Sequence, residues 1–221
     1  MRKIKIAIDG PAGAGKSTAA RLLAKRIDYV YIDTGAMYRA LTLLALKHNI
    51  GWDDENNLVA LFEQHKIDQY GSTTLIDGID VSDEIRTNKV SRAVSEVCRH
   101  RDVRQKMVKL QRQMAQQGGV VMDGRDIGTV VLPDAELKIF LTASLEVRAK
   151  RRMDELRQMG KPIPFSEVLA NIKQRDKMDS TRKIAPLRKA DDAVVIDNSF
   201  LPIYEEIDIL ETMAREKIAD I

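Results

Sequence analysis

The stretch Gly10-Pro11-Ala12-Gly13-Ala14-Gly15-Lys16-Ser17-Thr18 decides how the rest of the chain is interpreted. Its first eight residues fit the pattern G-x-x-x-x-G-K-[ST], with an apolar run around Ile6 before it and a helical pattern after it. In such a loop, glycines let backbone N–H groups turn toward phosphate oxygens, and the N-terminus of the next helix adds a partial positive charge. Lys16 supplies a point charge for the β- and γ-phosphates, and the Ser17 hydroxyl suits Mg²⁺. Residues 10–18 are therefore predicted to bind a nucleoside triphosphate together with Mg²⁺.

The composition is that of a globular domain with one unusually basic segment. The chain has 221 residues, of which 44% are hydrophobic and 31% charged, enough for one α/β domain with an insertion. The net charge is +3, yet residues 148–189 hold 13 Lys or Arg against 5 Asp or Glu. A positive block inside a near-neutral chain favours a local anionic ligand over a long nucleic-acid track, although a solvated helix face would carry the same charge.

Cysteine usage and hydropathy predict a cytoplasmic protein without a membrane partner. Cys98 is the only cysteine, and it lies among Val90, Val94 and Val97 at helical spacing, which is typical of a small core residue. No apolar segment reaches the length of a signal-peptide core or a membrane span.

Strand-like and helical patterns alternate along most of the chain. Short apolar runs predict strands near residues 4–8, 29–32, 120–122, 137–141 and 193–196, with helical patterns between them. A long helix is expected from residue 101 to about residue 117, where Gly118-Gly119 ends it. This alternation predicts a three-layer α/β/α domain around a mostly parallel sheet.

Residues 57–96 depart from this alternation. They contain β-like pieces at residues 67–70, 74–76 and 79–81, and Asp77-Gly78 between the last two predicts a two-residue hairpin turn. We therefore expect a core formed by residues 1–56 and 97–221, interrupted by a β-containing insertion at residues 57–96.

Several classes of protein carry a loop like the one at residues 10–18, so the loop alone does not give the function. GTPases usually show an Asn-Lys-x-Asp element for guanine, and Asn88-Lys89-Val90-Ser91 lacks the Asp. Motor ATPases usually have an apolar strand that ends in adjacent acids, which Val120-Val121-Met122-Asp123 matches only weakly. The arginine content of the chain favours neither class.

Two strings elsewhere in the chain are more specific than the loop, Asp33-Thr-Gly-Ala-Met-Tyr-Arg39 and Asp123-Gly-Arg-Asp-Ile-Gly-Thr129. Through them above all, nearly the whole chain resembles the bacterial cytidylate kinases, which are nucleoside monophosphate kinases. The remaining matches are Gly10–Thr18, Asp83–Arg86, Lys138–Phe140, Arg148–Arg152, Arg175–Arg182 and Pro186-Leu187. The resemblance implies transfer of the γ-phosphoryl group of ATP to CMP or dCMP, with Mg²⁺. It also implies that the insertion binds the monophosphate and that residues 148–164 form a short lid over ATP.

The resemblance also assigns the catalytic cations. Arg39, Arg125 and Arg182 match the arginines that hold the acceptor phosphate, and guanidinium groups suit this task because they bind phosphate oxygens bidentately and stay charged. Lys16 and a lid arginine, for which we take Arg151, complete the expected set. Ordinary surface ion pairs are the alternative for Arg39 and Arg125.

Three residues match contacts to the ribose of the monophosphate, namely Thr34, Arg175 and Asp179. An i,i+4 salt bridge between Arg175 and Asp179 would be equally natural, and the two roles are compatible.

Three further residues, Ser95, Arg104 and Asp126, match those that read cytosine. Asp126 can accept from the exocyclic amine, and Arg104 can donate to the ring acceptors. Uracil presents a carbonyl where cytosine has the amine, so it would face a carboxylate. The alternative is that Asp126 only orders its own loop, for example by pairing with Arg125.

Two aspartates end strands at the carboxyl edge of the expected sheet, where open α/β sheets bind ligands. Either Asp33 or Asp123 could hold magnesium-bound water or position Lys16. In addition to Ser17, we take Asp33 as a candidate for the metal site, through a water molecule. Asp33 could equally cap the helix that follows it.

Two rival functions stay open at this point. The acceptor could be UMP or AMP, or the chain could be an ATP-gated RNA-binding module whose basic segment grips a backbone. Aromatic residues make up only 5% of the chain, which disfavours a row of stacked bases. We expect a monomer that acts on small molecules and has no nucleic-acid partner.

Overall fold

A computed structural model describes residues 3–158, 160 and 162–220. The strands are β1 (Lys5–Asp9), β2 (Val30–Asp33), β3 (Ile67–Tyr70), β4 (Thr73–Ile76), β5 (Ile79–Asp80), β6 (Val120–Gly124), β7 (Leu137–Thr142) and β8 (Val194–Asp197). The α-helices are α1 (Lys16–Arg26), α2 (Thr34–Lys47), α3 (Glu55–Gln64), α4 (Asn88–Val97), α5 (Arg101–Met114), α6 (Leu145–Gln158), α7 (Phe165–Thr181) and α8 (Ile203–Ala219). A 3₁₀ turn spans Glu84–Arg86, and a π-helical turn spans Ile127–Val131.

The central sheet has the strand order β2-β6-β1-β7-β8, and all of its neighbouring strands are parallel. In β1, Ile6 lies opposite Val121 of β6 and Leu137 of β7. These inner strands are buried almost throughout, which is why they appear in the sequence as continuous apolar runs rather than as alternating patterns. The predicted parallel sheet is confirmed.

Helices cover both faces of this sheet. Ile4, Ile6 and Ile8 pack with α1 and α8 on one face. Ala7 and Met122 pack with α2, α3, α4 and α5 on the other face. The predicted three-layer α/β/α fold is thereby confirmed, and the sheet presents the carboxyl ends of β1, β2 and β6 along one edge.

The expected insertion contains a small antiparallel sheet in the order β3-β4-β5. Asp77 and Gly78 join β4 to β5 with φ angles of 52° and 81°, so the predicted hairpin turn is confirmed. Position 57 lies inside α3, whose Leu58 and Leu61 are buried in the same core as α2. The division into core and insertion stays a proposal.

Two further details differ from the sequence expectation. Helix α5 ends at Met114 rather than near residue 117, and Gly118 has a φ of 66° in the turn that follows. A Cβ atom on Gly118 would lie 2.2 Å from the backbone oxygen of Lys3, so the turn requires glycine. Met159 and Lys161 of the expected lid lie outside the described residues. Among the helices that the structure describes, none has both the length and the apolar character that a membrane crossing requires.

Candidate active site

A cavity of about 450 Å³ opens at the carboxyl ends of β1, β2 and β6. The loop before α1, the N-terminus of α2, helix α4 and helices α6 and α7 supply its walls. This is the edge at which open parallel sheets bind ligands.

The loop at residues 10–18 forms one wall of this cavity. Gly10 follows β1 with a φ of 151°, and a Cβ atom there would lie 1.9 Å from the backbone oxygen of Leu141, so only glycine fits. Lys16 begins α1, is 5% exposed and donates from Nζ to the Pro11 oxygen at 2.8 Å. Burial, reinforced by Arg125, lowers the pKa of Lys16 to about 7. A bound polyanion would favour the charged lysine.

Asp9, the last residue of β1, ties this loop to the segment after β6. Its two carboxylate oxygens accept from the backbone N–H groups of Ile127 and Gly128 at 2.8 and 2.7 Å. Burial raises the pKa of Asp9 to about 6, although these hydrogen bonds oppose the rise. The bonds fix the turn Ile127–Val131 and thereby place the preceding residues of the cavity wall. No motif pointed to this role, because Asp9 lies outside the phosphate-loop pattern.

Ser17 lies beside a buried carboxylate. Its hydroxyl donates to Asp123 Oδ2 at 2.9 Å, and the Tyr31 hydroxyl donates to Asp123 Oδ1 at 2.9 Å. Burial and the nearby Asp33 raise the pKa of Asp123 to about 6. Hydroxyl and carboxylate oxygens are the ligands that Mg²⁺ prefers, and a divalent cation would relieve the repulsion between the two carboxylates. The residues at this point therefore fit Mg²⁺.

Asp33 is the less direct of the two candidates for the metal. Its carboxylate caps α2 by accepting from the Ala36 N–H at 2.8 Å, and it lies 3.9 Å from a guanidinium nitrogen of Arg86. Asp33 therefore caps α2, which was the alternative role considered for it from the sequence. Asp33 still lines the cavity, but Asp123 is the carboxylate in contact with Ser17.

Arginines converge on the middle of the cavity from different elements. Arg39 comes from α2, Arg125 from the segment after β6 and Arg175 from α7. Arg125 donates from Nε to Asp179 at 2.8 Å, so among the described residues it is Arg125, not Arg175, that forms the ion pair with Asp179. Burial together with Arg39 and Arg125 lowers the pKa of Arg175 to about 10. Burial also lowers the pKa of Arg39, and the nearby Arg86 adds to this. Among the described residues the nearby carboxylates pair elsewhere, Asp33 with Arg86 and Asp179 with Arg125, so Arg39 and Arg175 have no ion pair and the cluster is short of negative charge.

A different arrangement closes the far end of the cavity. Asp126 accepts a short hydrogen bond from Arg104 at Oδ2 and one of 3.1 Å from Arg182 at Oδ1. The alternative in which Asp126 pairs with Arg125 is not seen, because among the described residues Arg125 pairs with Asp179. The guanidinium of Arg104 also lies 5.5 Å from the centre of the Tyr38 ring, and it donates to the Cys98 backbone oxygen at 3.3 Å.

Ser95 and Cys98 line this end as well. Cys98 packs against the core, as its spacing predicted, and also faces the cavity. Thr34, an expected ribose contact, is 4% exposed and donates its hydroxyl to the Asp123 backbone oxygen at 2.7 Å.

Three of the four arginines of α6, Arg148, Arg151 and Arg152, make different contacts. Arg148 is turned inward, where it donates to the backbone oxygens of Ala143 and Ala12 at 2.9 and 2.8 Å. Arg151 donates to both the side chain and the backbone oxygen of Asn198 at 2.9 and 2.8 Å, and it lines the cavity. Arg152 also lines the cavity and pairs with Glu155 at 2.7 Å. Of the three arginines, Arg151 and Arg152 therefore face the cavity and Arg148 does not line it.

Residues 6–216 match the model of the cytidylate kinase family. The chain is 52% identical over 208 residues to a cytidylate kinase of Bacillus pumilus, with 92% of each chain covered. This chain belongs to the cytidylate kinase family. It is also 53% identical over 209 residues to a cytidylate kinase of Caldicellulosiruptor saccharolyticus, which covers 93% of this chain and 92% of that relative. The resemblance inferred from Asp33–Arg39 and Asp123–Thr129 is confirmed.

A solved structure supports the fold alone. The chain is similar in structure to an uncharacterized protein of Eubacterium ventriosum, with a TM-score of 0.53 and 13% sequence identity. The match covers 96% of this chain and 99% of that protein.

For this member of the family, the structure brings the expected site residues into one cavity with two exceptions. Gly10 and Pro11 do not line the cavity and instead shape the loop behind it. The expected residues that do line it are Ala12, Gly13, Ala14, Gly15, Lys16, Ser17, Thr18, Asp33, Thr34, Arg39, Ser95, Arg104, Arg125, Asp126, Arg151, Arg175, Asp179 and Arg182. Tyr38 and Arg86 line it too but were not singled out, although both lie inside strings that carried the family resemblance.

Proposed function

We propose that the chain is a cytidylate kinase that transfers the γ-phosphoryl group of ATP to CMP or dCMP, giving ADP and CDP or dCDP. One observation carries the proposal. A triphosphate-binding loop at residues 12–18 shares a single cavity with a cluster of arginines that is short of negative charge. A second phosphate group is the natural counterpart of that cluster.

The reaction needs positioning and charge neutralisation more than covalent help from the protein. The loop N–H groups and Lys16 hold the donor phosphates, and the dipole of α1 adds to them. Arg39 and Arg125 hold the acceptor phosphate. Arg151, whose Nη1 lies 4.0 Å from the Cβ position of Gly15, can follow the charge that spreads over the transferring group. When bound, Mg²⁺ would be held by Ser17 and Asp123 and would neutralise phosphate charge.

The base is read at the end of the cavity where Asp126 lies. Both oxygens of Asp126 already accept from arginines, yet a carboxylate offers about four lone-pair sites and can accept once more, from the cytosine amine. Arg104 and Ser95 complete this end, while Thr34, Arg175 and Asp179 are left for the ribose. Arg182 contributes here by fixing Asp126, in addition to its expected role at the acceptor phosphate.

The insertion at residues 57–96 and the lid at residues 148–164 would close over the two nucleotides and exclude water, which could otherwise accept the phosphoryl group. In the same proposal the enzyme is a monomer of the cytoplasm and binds neither nucleic acid nor membrane. Gel filtration with light scattering would test the monomer.

A coupled assay of ADP release, with CMP, dCMP, UMP, AMP and GMP offered in turn, tests the function. Fast turnover with CMP and dCMP alone is the expected result. Preference for UMP or AMP would reassign the acceptor, and no turnover with any monophosphate would reject the kinase. Salt-sensitive RNA binding without turnover would favour the rival RNA-binding module.

A further inference from the structure

Helix α7 contacts both the arginine cluster and the phosphate loop through neighbouring residues. Arg175 belongs to the arginine cluster, and Asp179, one turn later, pairs with Arg125. Asp176, which immediately follows Arg175, points to the phosphate loop instead. Its Oδ1 accepts from the Ala12 backbone N–H at 2.9 Å.

The contact between Asp176 and Ala12 is part of a closed set of hydrogen bonds. Arg148 donates from Nη1 to Asp176 Oδ2 at 2.5 Å and to the Ala12 backbone oxygen at 2.8 Å. Both backbone groups of Ala12 are therefore held by one ion pair, with Arg148 on α6 and Asp176 on α7. The side chain of Arg148 is 9% exposed and that of Asp176 is 22% exposed, so the pair is largely shielded from water.

The phosphate loop also rests directly on these two helices. A Cβ atom on Gly13 would lie 3.2 Å from the Cβ of Arg148 and 3.4 Å from the Cδ1 of Ile172. A shift of α6 or α7 must therefore move the loop at Ala12 and Gly13, because interiors packed this closely transmit displacement.

The arginine cluster can couple the position of α7 to binding of the acceptor. Arg175 lies near Arg39 and Arg125 without an ion pair to a described carboxylate, so the three guanidinium groups repel one another. An anionic acceptor between them removes that repulsion and draws Arg175, and with it α7, toward one position. Asp176 is the next residue on the same helix.

We propose that the Arg148–Asp176 pair is a positioning device that makes binding of the acceptor monophosphate tighten the phosphate loop around the donor. The inference rests on the proposed function, because it takes CMP as the acceptor. Asp176 acts through Ala12 and touches neither nucleotide. Coupling between two sites of this kind typically changes affinity about 5–150-fold and is reciprocal.

The test is calorimetric. The affinity of a non-hydrolysable ATP analogue with Mg²⁺ is measured with and without saturating CMP, on the full chain. In the wild-type protein, saturating CMP should increase the affinity for the analogue by about fivefold or more. In Asp176→Asn the tightening should fall to less than about twofold, while the affinity for CMP alone stays within about twofold of the wild-type value. A loss of structure alone would weaken both nucleotides together and would not remove the coupling selectively.

Glu167→Gln is the matched control, since it removes another carboxylate of α7 whose partner is the exposed Arg92, 3.4 Å away. It should keep the full coupling. If Asp176→Asn does not fold, Arg148→Met, which keeps an unbranched side chain but removes the hydrogen bonds to Ala12 and Asp176, takes its place. Undiminished coupling in a folded variant would overturn the proposal, as would wild-type protein that binds CMP without any coupling. Wild-type protein that does not bind CMP at all would overturn the proposed function and this inference with it.

Discussion

Replacing Asp126 with asparagine would separate a structural role of this residue from a base-reading role. Asp126 is 5% exposed, and its carboxylate is shared by Arg104 and Arg182, whose side chains are 4% and 8% exposed. Asparagine keeps the size of the side chain but removes its charge. The two buried guanidinium groups then share no negative charge: one can still donate to the asparagine oxygen, the other faces the asparagine NH₂ group, and the hydrogen bonds to the backbone oxygens of Cys98 and Ala185 remain.

The expected loss of stability follows from this geometry. Removing one partner of a buried ion pair costs about 3–5 kcal/mol, because the other charge stays buried without compensation. For a chain of 150–250 residues, each kcal/mol lowers the melting temperature by about 2–4 °C. Asp126→Asn should therefore melt roughly 6–20 °C below the wild-type protein.

Thermal unfolding followed by circular dichroism measures this difference. Asp134→Asn is the control, since Asp134 pairs with Lys5 at 2.8 Å but its side chain is 66% exposed. An exposed pair contributes about 0–1 kcal/mol, so the control should melt within a few degrees of the wild-type protein. If Asp126→Asn melts as high as Asp134→Asn, the buried network is not a stabilising element and the reasoning is refuted.

Adding CMP extends the same experiment to recognition of the base. A ligand at 100 times its dissociation constant stabilises the folded state by about 2.7 kcal/mol. Wild-type protein should show that shift with CMP, and Asp126→Asn should show much less at the same concentration. A full shift in the variant would mean that Asp126 orders its loop without contacting the cytosine.

Three further predictions concern the phosphate side of the cavity. Lys16→Ala should keep its fold by circular dichroism and lose about 10²–10³-fold in kcat in the coupled assay, and retained turnover would contradict the role of the phosphate loop. Because burial lowers the pKa of Lys16 to about 7 and phosphates bind its charged form, affinity for the ATP analogue should fall above pH 7 by up to about tenfold per pH unit. Calorimetry from pH 6 to 9 measures this affinity in the wild-type protein and in Lys16→Arg, whose side chain stays charged. The affinity of Lys16→Arg should change only as the analogue itself titrates. If the wild-type affinity changes with pH in the same way as that of Lys16→Arg, the assignment is contradicted. Arg175→Met should melt about 2–4 °C higher without ligand, because it removes a buried charge and its repulsion from Arg39 and Arg125, together worth about 1 kcal/mol, while the KM for CMP rises about tenfold. A lower melting temperature would contradict this electrostatic cost.

Local signals in the sequence were enough for most of the fold. The apolar runs became strands because buried parallel strands need apolar residues on both faces, and Asp77-Gly78 became a hairpin turn because both residues adopt positive φ. The length of helix α3 has only a weak local signal, because Leu58 and Leu61 are the only residues fully buried along it, too few for a clear helical pattern. The end of α5 depends on the approach of Lys3, which no local pattern encodes.

The composition of the site was predictable, but its pairings were not. Motif resemblance and the position of strand ends identified most of the residues that line the cavity. Which arginine pairs with which carboxylate depends on contacts between distant parts of the chain, such as Arg125 with Asp179 across 54 residues. The backbone contact of Ala12 with Asp176 likewise spans 164 residues. For the same reason Asp123, not Asp33, proved to be the carboxylate against Ser17.

The distribution of negative charge over these arginines follows the chemistry of the proposed acceptor. At the end assigned to the base, which is neutral, Arg104 and Arg182 both have an ion pair with Asp126 within the protein. Nearer the phosphate loop, Arg39 and Arg175 have no ion pair with a described carboxylate, and the pKa values of both are lowered. A fold selected for stability alone would give the arginines at both ends a carboxylate partner. Leaving Arg39 and Arg175 without one where a phosphate is expected makes the acceptor itself the missing counter-charge, so the same group that reacts also completes the electrostatics of its site.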